Sequence, residues 1–360
     1  MTTRPFFKAT LRDFFPVFLG AFVGIGGGLG AVGFKLLLDL SHFSAWQVSG
    51  DFPSIISGWS TVFILLIPTA GGLVVGLLTW FLAREAKGHG VPEVISAIVR
   101  KRGIIRPRVV LVKALASAVC IGTGGSCGRE GPIAQIGSAW GSMVGQWMPW
   151  KRDRVRVLVG SGAAAGISAT FNAPVAGVIF ALEILLRDFS LKNLTPIIVS
   201  GVMAVTVSHT LLPEHTIFTI PQYQVNHPVE LLFYALLGLG AAVVGVSFIR
   251  CLYFMEDVGD RIPLPGWLKP ALGGLGIGTM ALVVPQVMGV GYTTVSAALD
   301  PENTTVLAAA GLGTVAAVTL LGCWPPRSWP PPSPSAWGDR AVSLPRPFSW
   351  VPCTAAWWDS

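Results

Sequence analysis

Several long stretches of this chain carry no charged side chain, among them residues 14–34, 54–83, 157–182, 231–249 and 270–299. A helix crossing the hydrocarbon core of a bilayer needs about 20 predominantly apolar residues. In lipid every backbone amide must find its partner inside the protein, so only helices and closed barrels span. Barrel strands alternate apolar and polar residues over about ten positions, whereas these runs are apolar on every face. The expected fold is therefore an all-α, polytopic membrane protein. Charged residues make up 12% of the 360, about half the ~25% of a soluble globular chain, which excludes an ordinary cytosolic enzyme.

The net charge of +7 is distributed as topology requires, between the apolar runs and not as a stripe that would bind nucleic acid. Arg4, Lys8 and Arg12 precede the first run, and Arg84, Lys87, Arg100, Lys101, Arg102, Arg106 and Arg108 frame a short segment after the second. By the positive-inside rule both regions face the cytoplasm. A third basic cluster, Lys151 to Arg156, is read the same way with less weight. The start of the chain lacks the small-residue cleavage site of a secretory signal.

Glycine and proline, 43 and 27 residues, interrupt the apolar runs. Gly20, Gly24 and Gly28, and Gly26 and Gly30, repeat every four residues, a spacing that lets helix backbones approach closely in a bundle. Residues 92–99, apolar apart from Glu93, and residues 174–182 are too short to span. They predict broken helices meeting inside the membrane, which is tolerated only around a buried or watery site and points to permeation. Five cysteines, Cys120, Cys127, Cys251, Cys323 and Cys353, show no paired metal-ligand spacing and imply neither a metal nor a structural disulfide. The first three are expected to be small buried residues at helix interfaces. Residues 1–322 read as one transmembrane domain. Residues 323–360 hold nine of the 27 prolines and six of the 13 tryptophans, a Pro/Trp-rich tail expected to be disordered or derived from a shifted reading frame, with no assigned role.

Two segments share a pattern: Gly88-His89-Gly90-Val91-Pro92 and Gly128-Arg129-Glu130-Gly131-Pro132. Each leads into a helix-compatible apolar sequence. Proline suits the first helical turn, and glycine admits a ligand close to the amides. A helix start offers unpaired N–H donors and about half a positive charge, so two that converge make an anion site without a fixed cation. Phe171-Asn172-Ala173-Pro174 reads as a third start of this kind. Glu130 is the sharpest residue. A carboxylate within a membrane segment marks an ion or proton path by default, and here it would occupy the place an anion takes until a proton or anion displaces it. The alternative for Glu130 is a solvated acid paired with Arg129. Glu183 either lines a polar route toward the cytoplasm or pairs with Arg187 at i,i+4. Lys113 is either a buried partner or a snorkelling side chain. Gly124-Gly125-Ser126-Cys127-Gly128 satisfies a hydrolase pattern, with His209 as its only conceivable base, and residues 28–33 satisfy a dinucleotide fingerprint. Both are chance-level matches in a glycine-rich chain. An intramembrane serine hydrolase is kept as the second reading.

These residues resemble the CLC family of chloride channels and chloride/proton antiporters. The segment from Gly88 to Pro92 is similar to its Gly-Ser-Gly-Ile-Pro motif, and that from Gly128 to Pro132 matches its Gly-Lys/Arg-Glu-Gly-Pro motif. Phe171-Asn172-Ala173-Pro174-Val175-Ala176-Gly177 looks like its next helix start. The resemblance covers roughly residues 10–322. It implies an inverted-repeat bundle of tilted and broken helices, a likeness to a homodimer with one pore per subunit, chloride or a similar anion as substrate, and no cofactor or catalytic residue. It places Glu130 as the gate, Gly88, His89, Gly90, Val91, Pro92, Gly128, Arg129, Gly131 and Pro132 around the anion, and Glu183 on a proton path. The membrane would be the plasma membrane, or the inner membrane of a bacterium. Three departures bear on function. His89 replaces the serine that usually helps hold the anion, and can donate from either ring nitrogen or carry charge. Ile184 stands at the internal proton-transfer position, leaving channel and antiporter open. The third motif, Gly-x-Phe-x-Pro, and a later pore tyrosine are absent, so the second half reads as incomplete and a non-conducting fragment is an alternative.

Overall fold

The computed structural model describes residues 4–48, 52–56, 58–82, 90–147, 152–212 and 227–299. Among them there are helices and no strand. In chain order these are α1 (Arg4–Trp46), α2 (Phe52–Ile56), α3 (Thr61–Phe81), α4 (Val91–Arg100), α5 (Pro107–Gly122), α6 (Glu130–Gln146), α7 (Arg152–Phe171) and α8 (Pro174–Phe180). There follow a π-helical turn over Ala181–Leu186, α9 (Leu191–Leu211), α10 (Glu230–Arg261), α11 (Lys269–Ala281), a 3-10 turn over Pro285–Val287, and α12 (Tyr292–Leu299). Four stretches are long and apolar enough to cross a membrane: Phe15–Trp46, Thr61–Phe81, Asn193–Leu211 and Glu230–Gly259.

Three of the five apolar runs are not single spans. Run 54–83 contains the end of α2 and all of α3. Run 157–182 breaks after α7, where Asn172 adopts a left-handed φ of 53° and Pro174 opens α8. Run 270–299 divides into α11, the 3-10 turn at Pro285 and α12. Apolarity sets how much chain can lie in lipid. Proline and left-handed turns decide where it breaks.

The chain forms two compact units. The first comprises residues 1–225 and 258–312, the second residues 226–257 and 313–360. In the first, the four-residue glycine repeat works as the sequence implies. A β-carbon on Gly20 would lie 2.5 Å from the Pro196 carbonyl oxygen and one on Gly28 2.8 Å from that of Ala204, with Gly24 against Ser200 between them. α1 and α9 are thus in backbone contact along a ladder of small residues, while Gly26 and Gly30 seat Trp140 and Ile136 of α6. Gly137 and Gly162 face each other's carbonyls where α6 crosses α7, and Gly72 and Gly274 bring α3 onto the start of α11. Such contacts replace the hydrophobic drive that helices lack in lipid. Buried hydroxyls stitch the same interfaces: Ser200 donates to the Ser161 carbonyl at 2.9 Å and Ser208 to that of Ala169 at 3.2 Å.

The second unit contributes most of α10, a continuous apolar helix opened by Glu230. Cys251 on α10 is disulfide-bonded, which corrects the expectation of a free buried thiol. Cys120 and Cys127 are free and only partly buried, and no other cysteine lies among the described residues. Spacing along the sequence reports metal-ligand sets well but says nothing about which distant thiols meet in space. Residues 323–360 and the basic residues Arg84 and Lys87 lie outside the described residues.

Candidate functional site

The α4 start is shaped by Gly90. Its φ of 90° lies in the region that side chains disfavour, and its carbonyl accepts the first intrahelical bond, from Val94 N–H at 3.2 Å. Pro92 follows in the first turn, where a missing N–H costs nothing. α6 begins one turn earlier than its apolar run, at Glu130 itself, with the Arg129 carbonyl accepting from Ile133 N–H at 3.1 Å. The gating candidate is therefore the first residue of a helix, and Gly131 and Pro132 complete its first turn.

The two starts touch. A β-carbon on Gly90 would sit 2.7 Å from the Gly131 carbonyl oxygen and 2.9 Å from its carbonyl carbon, so no side chain fits between them. Both belong to one neighbourhood: Val91, Cys127, Phe171 and Val290 all pack on the same buried cluster, which includes Ile133, Ala134 and Ala165. Four segments meet there, the starts of α4, α6 and α12 and the chain reversal between α7 and α8. Gly88 and His89 lie outside the described residues.

Glu130 folds its carboxylate back beside Gly128, in the space a β-carbon there would take. Its Oε1 accepts a hydrogen bond from the Tyr292 hydroxyl at 2.7 Å. Arg129 does not pair with Glu130. Its guanidinium carbon lies 4.7 Å from the centre of the Tyr292 ring, and its Nε is buried without a hydrogen-bond partner. The same ring meets Phe171 edge-on, 6.4 Å between centroids at 69°. Tyr292 thereby links the Glu130 carboxylate, the Arg129 cation and the end of α7. Sequence reading passes over it because it lies inside an apolar run. The available signal is Gly289-Val290-Gly291, a Gly-x-Gly before a helix like Gly88-His89-Gly90, with both glycines at positive φ, 77° and 76°.

Lys113 is buried at 7% exposure and lies within electrostatic reach of Glu93, in the first turn of α4. This favours the buried-partner reading over snorkelling. Glu93, which the sequence did not single out, keeps Oε2 buried without a hydrogen-bond partner. Glu183 is exposed in the π-helical turn, beside exposed Ile184, away from any partner among the described residues. Ser126 is exposed in the loop between α5 and α6, no hydrogen bond joins it to His209 on α9, and residues 28–33 lie within α1 with no strand before them. The hydrolase and dinucleotide patterns thus lack the strand-to-helix turn their chemistry needs. Among the described residues no group of three or more potential ligands could hold a metal ion.

Residues 71–324 match the family described as "Voltage gated chloride channel". The chain is 32% identical over 300 residues to the chloride channel protein CLC-f of Arabidopsis thaliana, covering 77% of this chain and 37% of that protein. It is 32% identical over 295 residues to the H(+)/Cl(-) exchange transporter ClcA of Vibrio campbellii, covering 79% and 62%. Among solved structures it is similar to a slow cyanobacterial Cl-/H+ antiporter, with a TM-score of 0.72 and 25% identity over 86% of this chain and 73% of that one. The chain thus spans less than two thirds of the length of these two curated relatives.

Proposed function

Because this chain belongs to the voltage-gated chloride channel (CLC) family, we propose that it passes chloride or a similar small anion across a membrane through a route opened and closed by Glu130. One observation carries this reading: the backbone contact between Gly90 and Gly131, which aims two helix starts at one place. The unpaired N–H groups of those first turns and their partial positive charge hold an anion. Donors are the amides of Gly88, His89, Gly90, Val91, Gly128, Arg129 and Gly131, while Pro92 and Pro132 shape the turns. The His89 ring adds a donor in place of a hydroxyl.

The Glu130 carboxylate competes for that position. Held by Tyr292, it blocks the route as an internal anion, and a proton neutralises it or an incoming anion displaces it. Acid therefore raises flux. Exchange against protons, the activity in the name of the Vibrio relative, requires a second proton-carrying position toward the cytoplasm. Glu183 is the candidate carboxylate in this stretch, while Ile184, which the resemblance puts at the internal proton-transfer position, carries no proton, so the reading covers both channel and exchanger. The protein is membrane-embedded, and we assign it to a plasma membrane, or to the inner membrane if the source is bacterial, as a homodimer with one route per subunit.

Chloride efflux from proteoliposomes, with external pH followed in parallel, tests the reading. Glu130→Gln should raise efflux and abolish its dependence on pH. Unchanged efflux, or a pH dependence that survives the substitution, rejects Glu130 as the gate.

A further inference from the structure

The transport reading makes no use of two thiols that lie beside its gate. Cys120 is in the last turn of α5, and Cys127 lies in loop 123–129, which delivers the chain to Glu130. Both are free, and the Cys127 thiol donates toward the Cys120 sulfur at 4.0 Å. The loop is already folded back on the helix: Gly125 N–H donates to the Cys120 carbonyl at 2.7 Å, and Cys127 N–H to that of Gly125 at 3.1 Å. Lys113, buried two turns earlier on α5, is within electrostatic reach of both sulfurs, and Glu130 is within reach of Cys127. A partly exposed sulfur that accepts from a second thiol 4.0 Å away, with a lysine side chain nearby, is a setting in which a thiolate forms. Bonding requires the sulfurs to close to about 2.05 Å. Gly124, at φ 101°, together with Gly125 and Gly128, gives the loop the freedom to do so.

We propose that Cys120 and Cys127 are an oxidisable pair whose closure to a disulfide pins loop 123–129 to α5 and holds Glu130 in its blocking position. The second half of this statement rests on Glu130 being the gate. The oxidant is a peroxide, small and uncharged enough to enter the site. The Cys120 thiolate attacks one peroxide oxygen, the O–O bond breaks, and the sulfur becomes a sulfenic acid while the departing hydroxide takes a proton as water. The Cys127 sulfur then attacks the sulfenic sulfur. The S–S bond forms, the S–O bond breaks, and the hydroxide leaves as water with the Cys127 proton. Two thiols lose two electrons and one peroxide gains them.

The full chain in liposomes is treated with hydrogen peroxide, then with dithiothreitol, and read by peptide mass mapping and by chloride efflux. A peptide linking Cys120 to Cys127, removed by dithiothreitol, is expected. Efflux should fall at least about fivefold, the lower end of ordinary coupling between linked sites, and recover on reduction. Cys127→Ser and, separately, Cys120→Ser should lose both responses, and the reversibility in the unsubstituted chain serves as the control should either fail to fold. Absence of the linked peptide overturns the pair. A linked peptide with unchanged efflux overturns the pinning of the gate. A chain that passes no chloride in either state rejects the transport reading instead, while the peptide map still decides the thiol chemistry.

Discussion

The Tyr292 hydroxyl donates to Glu130 Oε1 at 2.7 Å, tying the last described helix to the first residue of α6 across 162 positions of sequence. A hydrogen bond to a charged acceptor contributes about 1.5–3 kcal/mol, so this tyrosine favours the carboxylate in its folded-back position, the one the proposed gating makes the closed state. Tyr292→Phe keeps the ring beneath Arg129 and against Phe171 but removes the donor. Chloride efflux at neutral pH should rise about tenfold, the equivalent of ~1.4 kcal/mol. In Glu130→Gln the same tyrosine substitution should add little, because the charged acceptor is already gone. Additive effects in the double variant would separate Tyr292 from the gate.

Gly128 leaves the space into which the Glu130 carboxylate folds. Gly128→Ala puts a methyl group there, and the carboxylate is the group free to move. Efflux should increase and lose part of its acid activation, with the folded protein otherwise intact by size-exclusion chromatography. A substituted chain that folds and transports like the parent would mean the carboxylate does not occupy that space in the closed state.

The spans and the glycine ladder were legible because both are patterns of period and composition. Gly20, Gly24 and Gly28 announce a close helix contact without naming the partner, and Pro196, Ser200 and Ala204 carry no reciprocal signal strong enough to identify α9. The starts of α4, α6 and α8 were readable from Pro92, Pro132 and Pro174, since proline marks first turns. α12 was hidden in an apolar run that looked like one span, and with it Tyr292. The roles of Arg129 and Lys113 were open because sequence shows a charge but not what lies above a ring or beneath a helix.

Ser142 on α6 organises the connection between α4 and α5. It donates to the Gly103 carbonyl at 2.6 Å and accepts from Ile105 N–H and Gln146 Nε2, both at 2.9 Å. Ser142 itself is fully buried, so Ser142→Ala leaves the Ile105 amide without a partner at a cost of about 1–3 kcal/mol. The thermal midpoint in detergent should drop, whereas Ser142→Thr, which keeps the hydroxyl, should recover part of the loss. Equal midpoints for alanine and the parent would place a water or another acceptor at that amide.

Gly24 tests whether backbone proximity holds the bundle together. A β-carbon on it would collide with the Ser200 carbonyl oxygen and lie 2.9 Å from the Met203 β-carbon. Ser200 cannot recede freely, because its hydroxyl is committed to the Ser161 carbonyl of α7. Gly24→Val therefore forces α1 away from α9 and loosens α9 from α7 at the same time, a cost of several kcal/mol given ~1–3 kcal/mol for overpacking one contact. Gly33, on the same helix, has open space where its β-carbon would go, and Gly33→Val should be tolerated apart from propensity differences of a few tenths of a kcal/mol. Comparing the two by fluorescence size-exclusion after heating separates interface packing from a general intolerance of valine in α1. If both variants lose the monodisperse peak at the same temperature, the loss is not specific to the α1–α9 contact.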